Sequence, residues 1–488
     1  DIDPQRTANL LVWNHKSNAW ETLASQRGAA NQKTALRGNV SADHVKDGVV
    51  NAMVAATDPF ADDMNKEVSR KFQDPNSYDF SIAHFTDTQY LSEGAAGDYR
   101  DDNKNLHPDA ERKLWHDAYA DTIQWIIDNA AERKIAYAAH TGDIIENNIR
   151  VQTDPNMVAQ VDREFEVASG IQKTLDDSGI PNGVLAGNHD NRMGTDGTLY
   201  NKNFGPDRYK EASKKWRADA QYGGPWKEGD NQNHYDLFSA GGLDFVAVHL
   251  SYGVDDEEIA WANKIFQQYP DRNGLLFSHA YLTTSKDADG RNAPYTNAQG
   301  REQARKIVDA NPNVVMTLSG HHHGVGLNVR NDAGEVGNHV VEMLADYQFY
   351  EVPVTHPKLA DLRANYKDDK TLRFGAAFFR LLQFDVQRGE LVINAYSPFF
   401  NEFGAEQYDL EKRYDGRSDE LRVPLQLSSR TTSLATDTFQ VITPTEHVLG
   451  TAKADVNKAA TLDVDFSDAK LGLPQEDGVP VALSLIHI

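Results

Sequence analysis

Between residues 80 and 318 six short apolar runs succeed one another, and five of them lead into loops carrying aspartate, asparagine, glutamine or histidine. The runs are Phe80–Phe85, Ile135–Ala139, Gly183–Ala186, Asp244–Val248, Leu275–Phe277 and Val314–Leu318. Between the first two, Trp115, Tyr119, Ile123, Ile126 and Ala130 recur at three- and four-residue steps. Met157, Val161, Phe165, Ala168, Ile171 and Leu175 do the same before the third. Such spacing marks one face of a helix. Strand, helix, strand in that order predicts an α/β domain whose sheet faces are covered by helices. In such sheets ligands bind where loops leave the carboxyl ends of strands, so the loops are the place to look for chemistry.

The flanks read differently. Residues 1–76 hold Leu10–Trp13 and Val49–Val54 as short strand patterns and predict a small β-rich module, with its boundary in the turn-forming Phe72–Ser77. Ala377–Leu382 and Leu391–Tyr396 predict strands completing a second sheet of the main domain, assigned to 77–427. Residues 428–488 read as a C-terminal extension or linker, and the apolar Leu483–Ile488 as a truncation scar without weight in the fold. No run nears the ~18 apolar residues of a membrane span. A net charge of −24 disfavours an extended nucleic-acid surface. Cysteine is absent, which excludes disulfides, thiolate nucleophiles and cysteine-based zinc sites.

The five loops give Asp87-Thr88-Gln89, Gly142-Asp143-Ile144-Ile145-Glu146-Asn147, Gly187-Asn188-His189-Asp190, His279, and Gly320-His321-His322-His323-Gly324. Taken singly, each has an ordinary explanation. An Asp after a strand caps a helix, Gly-Asn-His-Asp makes Asx turns, and a lone His packs in a core. Taken together they place carboxylate, amide and imidazole donors at one sheet edge, a set suited to borderline divalent metals. A carboxylate can bridge two ions some 3.5–4 Å apart.

The ordered set resembles the calcineurin-like metallophosphoesterase superfamily, whose pattern runs D-x-H, G-D-x-x-[DN], G-N-H-[DE], a later H, and G-H-x-H. The match covers about residues 78–345. The resemblance implies two packed mixed β-sheets flanked by helices, with a dinuclear metal site at the sheet edge. It implies that Asp87 and His323 bind the first metal, that Asp143 bridges, and that Asn188, His279 and His321 complete the second. His189 would face the substrate phosphate and Asp190 would orient it. Gln89 stands where the commonest pattern has histidine; its neutral oxygen can still ligate, with less preference for zinc. Glu146 is longer than the usual residue at its place and is read as structural, as are His84, His140 and His249. His322 flanks the ligands, and Arg192 and Tyr90 are the candidates to reach a bound phosphate; no substrate-binding residue is assigned.

The expected activity is hydrolysis of phosphate mono- or diesters by a hydroxide activated between two divalent ions (Mn, Fe or Zn), with His189 protonating the leaving group. A secreted or cell-surface location is expected from the missing cysteine, the β-module and the start without Met. The rival is a non-catalytic surface or adhesion protein using the same scaffold for binding. A carboxylate-pair glycosidase built on Asp87 and Asp143 leaves the histidines unexplained.

Overall fold

The structure, a computed structural model, describes residues 7–27, 35–56, 69–97, 109–334, 338–373, 375–425, 427, 448–451 and 484–487. The chain divides into two compact units, Asp1–Lys66 with Phe439–Ile488, and Glu67–Thr438. In the smaller unit β1 (Thr7–Asn14) pairs antiparallel with β2 (Ala19–Arg27) and with β4 (Val49–Ala56), which also takes the short β3 (Val45–Lys46). Trp13 and Trp20 face each other across the β1–β2 pair with ring centroids 5.4 Å apart. Ser484–His487, set aside on sequence, pairs antiparallel with β4 and parallel with Val448–Thr451. The rest of the expected extension, 428–447, 452–483 and 488, lies outside the described residues.

The boundary expected at residue 76 falls inside the larger unit. Phe72 packs among Trp125, Tyr396 and Phe403, with centroids 5.3, 5.1 and 4.8 Å away, and the Gln73 backbone N donates to Gln383 at 2.8 Å. Those contacts bind the turn-rich segment to the domain that follows it.

The larger unit opens with β5 (Phe80–Phe85), α1 (Gln89–Ala96), α2 (Asp109–Asn129), β6 (Ile135–His140), α3 (Pro155–Ser178) and β7 (Asn182–Val184). β5, β6 and β7 are parallel neighbours, and every residue of each is buried, which is why they read as largely apolar segments. α3 starts on Asp154, whose carboxylate accepts from Asn156 N ahead of Pro155, and stops at left-handed Gly179. α4 (Thr198–Phe204) and α5 (Pro206–Ser213) then lead to a second sheet. It contains β8 (Gln221–Lys227), β9 (Asp230–Ala240), β10 (Leu243–Leu250), β11 (Asn273–Ser278), β12 (Val314–Ser319), β13 (Gly324–Ala333) and β14 (Asn338–Asp346). α6 (Asp256–Gln268) connects β10 to β11, and α7 (Asn297–Gln303) precedes β12. Its order is β13-β14-β12-β11-β10-β9-β8, parallel from β10 through β14 and antiparallel at both edges.

After the small hairpin of β15 (Glu351–Pro353) and β16 (Thr371–Arg373), the chain returns to the first sheet. Here β17 (Phe379–Asp385), β18 (Glu390–Ser397), β19 (Glu402–Phe403) and β20 (Glu420–Pro424) are added. The expectation that Ala377–Leu382 and Leu391–Tyr396 complete a second sheet is corrected: β17 pairs antiparallel with β5 and extends the first, while the second sheet comes from residues 221–346.

The two mixed sheets pack face to face through Phe80, Ile82, Leu382 and Ile393 on one side and Phe245, Leu275, Met316 and Met343 on the other. α2 and α3 cover the first sheet's outer face through Trp115, Tyr119, Ile123 and Phe165. α6 covers the second through Ile259, Ala262 and Phe266. This is the helix-flanked pair of mixed sheets that the resemblance implied.

Candidate metal centre

The loops after β5, β6, β7, β11 and β12 interlock at one edge. Asp87 N donates to Gly142 O (2.9 Å), Gly320 N to His279 O (3.1 Å), and His321 N to both carboxylate oxygens of Asp87 (3.2 and 3.1 Å). Asp87, Asp143 and His321 all hold left-handed backbone, with φ of 53°, 54° and 72°. Such conformations are uncommon for residues bearing a Cβ and persist where the surroundings over-determine them. Two motif glycines permit the approach: a Cβ on Gly187 would lie 2.1 Å from Asp143 Oδ1, and one on Gly320 2.2 Å from Asp87 Oδ2.

At the centre stands His279, buried, with Nδ1 2.7 Å from Thr141 O. That contact aims Nε2 at Asn188 Oδ1 (2.9 Å) and Asp143 Oδ1 (3.4 Å). The ring of His321 lies 4.9 Å from that of His279 at 57°, so their planes cross. Donor atoms of Asp143, His279 and His321 all lie within 4.8 Å of one another. His323 is exposed, its ring edge-on to Phe349 at 3.6 Å, and its carbonyl accepts from Arg413 Nη1 (2.6 Å). His322 is half-buried against His321, 4.7 Å away.

The charges are strained without a cation. Burial and the neighbouring Asp346 push the Asp87 carboxyl well above its ordinary range. Burial opposes the charged form of Asp143, yet the imidazoles of His279 and His189 hold it below the usual range. Burial also opposes a charged His279, but Asp143 and Asp87 raise it to about 9. Burial lowers His321 to about 3 and His323 to about 4. Among the described residues no lysine or arginine forms an ion pair with Asp87, Asp143 or Asp346. Three buried carboxylates that bear on one another electrostatically without a lysine or arginine partner, together with an imidazole nitrogen that faces Asn188 and Asp143, fit divalent ions.

Other placements refine the expectations. The Gln89 amide is buried against Gln348, with its other side 2.9 and 3.0 Å from the backbone carbonyls of Asp87 and Asp143, contacts that only its nitrogen satisfies. The hydrogen bonds of the Asp190 carboxylate go to backbone and not to the His189 ring. The carboxylate accepts from Gly187 N (2.7 Å), Ile144 N (2.9 Å) and Ile145 N (3.1 Å), tying the second and third loops together. The orienting contact comes from Glu146, whose carbonyl lies 2.7 Å and carboxylate 3.2 Å from His189 Nδ1. The His189 backbone N donates to Asp143 Oδ1 at 2.9 Å. Arg192 is engaged with Asp196 (2.5 Å) and Asn148 (3.1 Å), and Tyr90 sits edge-on to Phe349 at 5.9 Å.

Two residues went unread in the sequence. Asp346, at the end of β14, is buried and pushed up to about 7, and Gln348 bonds both it (3.1 Å) and Asp87 (3.4 Å). β14 runs parallel beside β12, so it delivers Asp346 to the same edge. A partial signal was present: Val340 to Ala345, apolar but for Glu342, leads into Asp346, much as the run Phe80–Phe85 leads into Asp87.

A second group, His234, Asp236 and His249, is buried between the sheets. Its two imidazoles are stacked 4.3 Å apart at 7°. An imidazole binds an ion in its own ring plane, and two parallel planes share no such point. Tyr137 bridges the group instead, its hydroxyl 2.5 Å from Asp236 and 2.8 Å from His249.

The profile of the calcineurin-like phosphoesterase family matches residues 80–325. The uncharacterized protein YvnB of Bacillus subtilis strain 168 is 30% identical over 451 residues, which cover 92% of this chain and 28% of YvnB. The chain thus spans less than a third of that curated relative. Among solved structures, GAP50, the anchor in the inner membrane complex of Plasmodium, aligns over 72% of this chain and 91% of its own at 9% identity, with a TM-score of 0.36. TT1561 of Thermus thermophilus aligns over 65% and 95%, at 9% identity and a TM-score of 0.31.

Proposed function

Because the chain belongs to the calcineurin-like phosphoesterase family, a family of metal-dependent hydrolases, we propose that it cleaves phosphate mono- or diesters at the edge where β5, β6, β7, β11 and β12 end. The observation that carries this reading is the convergence of Asp143, Asn188 and His279 within 3.4 Å contacts beside a histidine that is no part of the cluster, His189. Asp87 and His323 would hold one ion, and Asn188, His279 and His321 the other, with Asp143 available to both. The buried Gln89 amide supports the first site through Gln348 and the loop carbonyls. Divalent ions at these residues supply charge for the phosphate oxygens and acidify a water. His189, its Nδ1 fixed by Glu146, offers Nε2 to the departing oxygen as a general acid.

Among the described residues no helix is long and apolar enough to cross a membrane. We propose that the protein acts outside the cell or at its surface, where a sequence free of cysteine has no thiol to oxidise. Fractionation that finds it only in the cytosol contradicts this.

The deciding experiment assays a panel of phosphate mono- and diesters on full-length protein reconstituted with Mn²⁺, Fe²⁺ or Zn²⁺. Turnover that requires metal is expected. Two bound ions per chain with no turnover of any ester would favour the scaffold-only reading.

A further inference from the structure

Glu164 lies on α3, outside every motif that pointed to the site, yet it is buried and surrounded by donors. Its Oε2 accepts from the backbone N–H groups of Glu146 (3.1 Å) and Asn147 (3.0 Å). Its Oε1 accepts from Asn147 Nδ2 (2.6 Å) and Gln160 Nε2 (2.9 Å). Four donors on one carboxylate is a full complement, and only an acceptor-only side chain can meet it. Asn147 is held from further sides as well, its Nδ2 by Glu93 (3.1 Å) and its carbonyl by Gln152 (2.7 Å).

The consequence lies one residue away. Glu146 presents both its carbonyl and its carboxylate to His189 Nδ1. Fixing the N–H of residue 146 and that of residue 147 fixes the two peptide planes on either side of Glu146, and so the direction of its carbonyl. From this chain of contacts we propose that Glu164 is a positioning residue: it holds Glu146 so that the His189 ring stays in the orientation that leaves Nε2 for the leaving group. This rests on the general-acid reading of His189 given above. The hydrogen bonds of the Glu164 carboxylate reach none of the proposed ligands; its effect on His189 runs through Glu146. A displacement of the ring by about 1 Å can cost on the order of 10² in rate.

A purely structural Glu164 would lower stability and leave the chemistry alone, so the test needs a readout tied to His189. Glu164→Gln keeps the shape but turns one acceptor oxygen into an N–H group that faces other N–H groups. Glu164→Asp keeps the charge and shortens the reach. Full-length, Mn²⁺-reconstituted protein is assayed on an alkyl phosphate ester and on its p-nitrophenyl counterpart, and the His189 ring is followed by ¹⁵N NMR with labelled histidine. The expected result for Glu164→Gln is unchanged metal content, a roughly 10- to 100-fold fall in kcat on the alkyl ester, a fall of less than about 3-fold on the nitrophenyl ester, and a shifted His189 Nδ1 resonance. Glu164→Asp should give a smaller version of each change. Equal losses on both esters, or unchanged kinetics and an unchanged His189 signal, overturn the proposal. Where Glu164→Gln does not fold, the Glu164→Asp signals alone decide. If the wild type hydrolyses neither ester while the His189 resonance still moves on substitution, the positioning role stands and the hydrolase reading falls.

Discussion

At the sheet edge Asp143, His279 and His321 gather a carboxylate and two imidazoles; between the sheets Asp236, His234 and His249 gather the same groups. Both clusters are largely buried, and residue type does not tell them apart. Geometry does. At the edge the two rings cross at 57°, while in the sandwich they lie parallel at 7°. At the edge Asp143 and His321 sit on left-handed loop backbone; in the sandwich all three residues are on regular strands, β9 and β10. Burial lowers His234 to about 3, whereas the carboxylates around His279 raise it to about 9. Loops can aim side chains at a common point; strands paired in register stack them.

Asp143→Asn should produce the largest difference between the clusters. It removes the charge between the two proposed ions, so elemental analysis should find fewer than two ions per chain and activity should fall by at least roughly 10³-fold, the scale of losing a preorganised electrostatic element. Asp236→Asn, the matching change in the sandwich, should leave metal content and kcat intact. Metal loss from Asp236→Asn would erase the distinction.

His189→Ala should keep both ions and lose about 10²–10⁴ in rate on an alkyl ester, with clearly less on a nitrophenyl ester. Equal losses on the two would leave His189 without a proton-transfer role. Asp190→Asn should act elsewhere: it weakens three backbone contacts and should cost about 1–3 kcal/mol of stability, with little change in the leaving-group dependence.

Metal affinity should rise with pH. His279 must lose a proton to ligate, and its raised value of about 9 keeps it charged at neutral pH in the metal-free protein. Asp87, likewise raised, holds its proton to higher pH than an ordinary carboxyl. Each proton displaced adds up to about tenfold in affinity per pH unit below the raised value. Chelator competition from about pH 6 to 8 reads this directly; a flat profile would contradict a charged His279 that gives up its proton to ligate.

The smallest effect belongs to the sandwich. Tyr137→Phe removes the hydroxyl shared by Asp236 and His249 and should destabilise by about 1–3 kcal/mol in denaturant titration, with activity and metal content unchanged.

What the sequence disclosed follows the same division. β5, β6, β11 and β12 were legible because they are buried on both faces and read as apolar runs, and the ligands were legible because each follows such a run. β9 was not: Asn231, Asn233, His234 and Asp236 are buried, so its inner positions are polar and no apolar pattern betrays it. α6 was not read from the sequence, although the structure shows it opening on a capping box of Asp255 and Glu258 and burying Ile259, Ala262, Ile265 and Phe266. The partner of His189 was hidden for a different reason. Half of that contact is a backbone carbonyl, that of Glu146, whose direction is set by Glu164 eighteen residues further on. No spacing rule encodes such a contact.

Anomalous diffraction from a crystal of the full chain soaked in Mn²⁺ tests the central claim most directly, because it sees both clusters in one map. The account predicts two peaks some 3.5–4 Å apart among Asp87, Asp143, Asn188, His279, His321 and His323, and none among His234, Asp236 and His249. An empty sheet edge, or a peak between the stacked imidazoles, would contradict it.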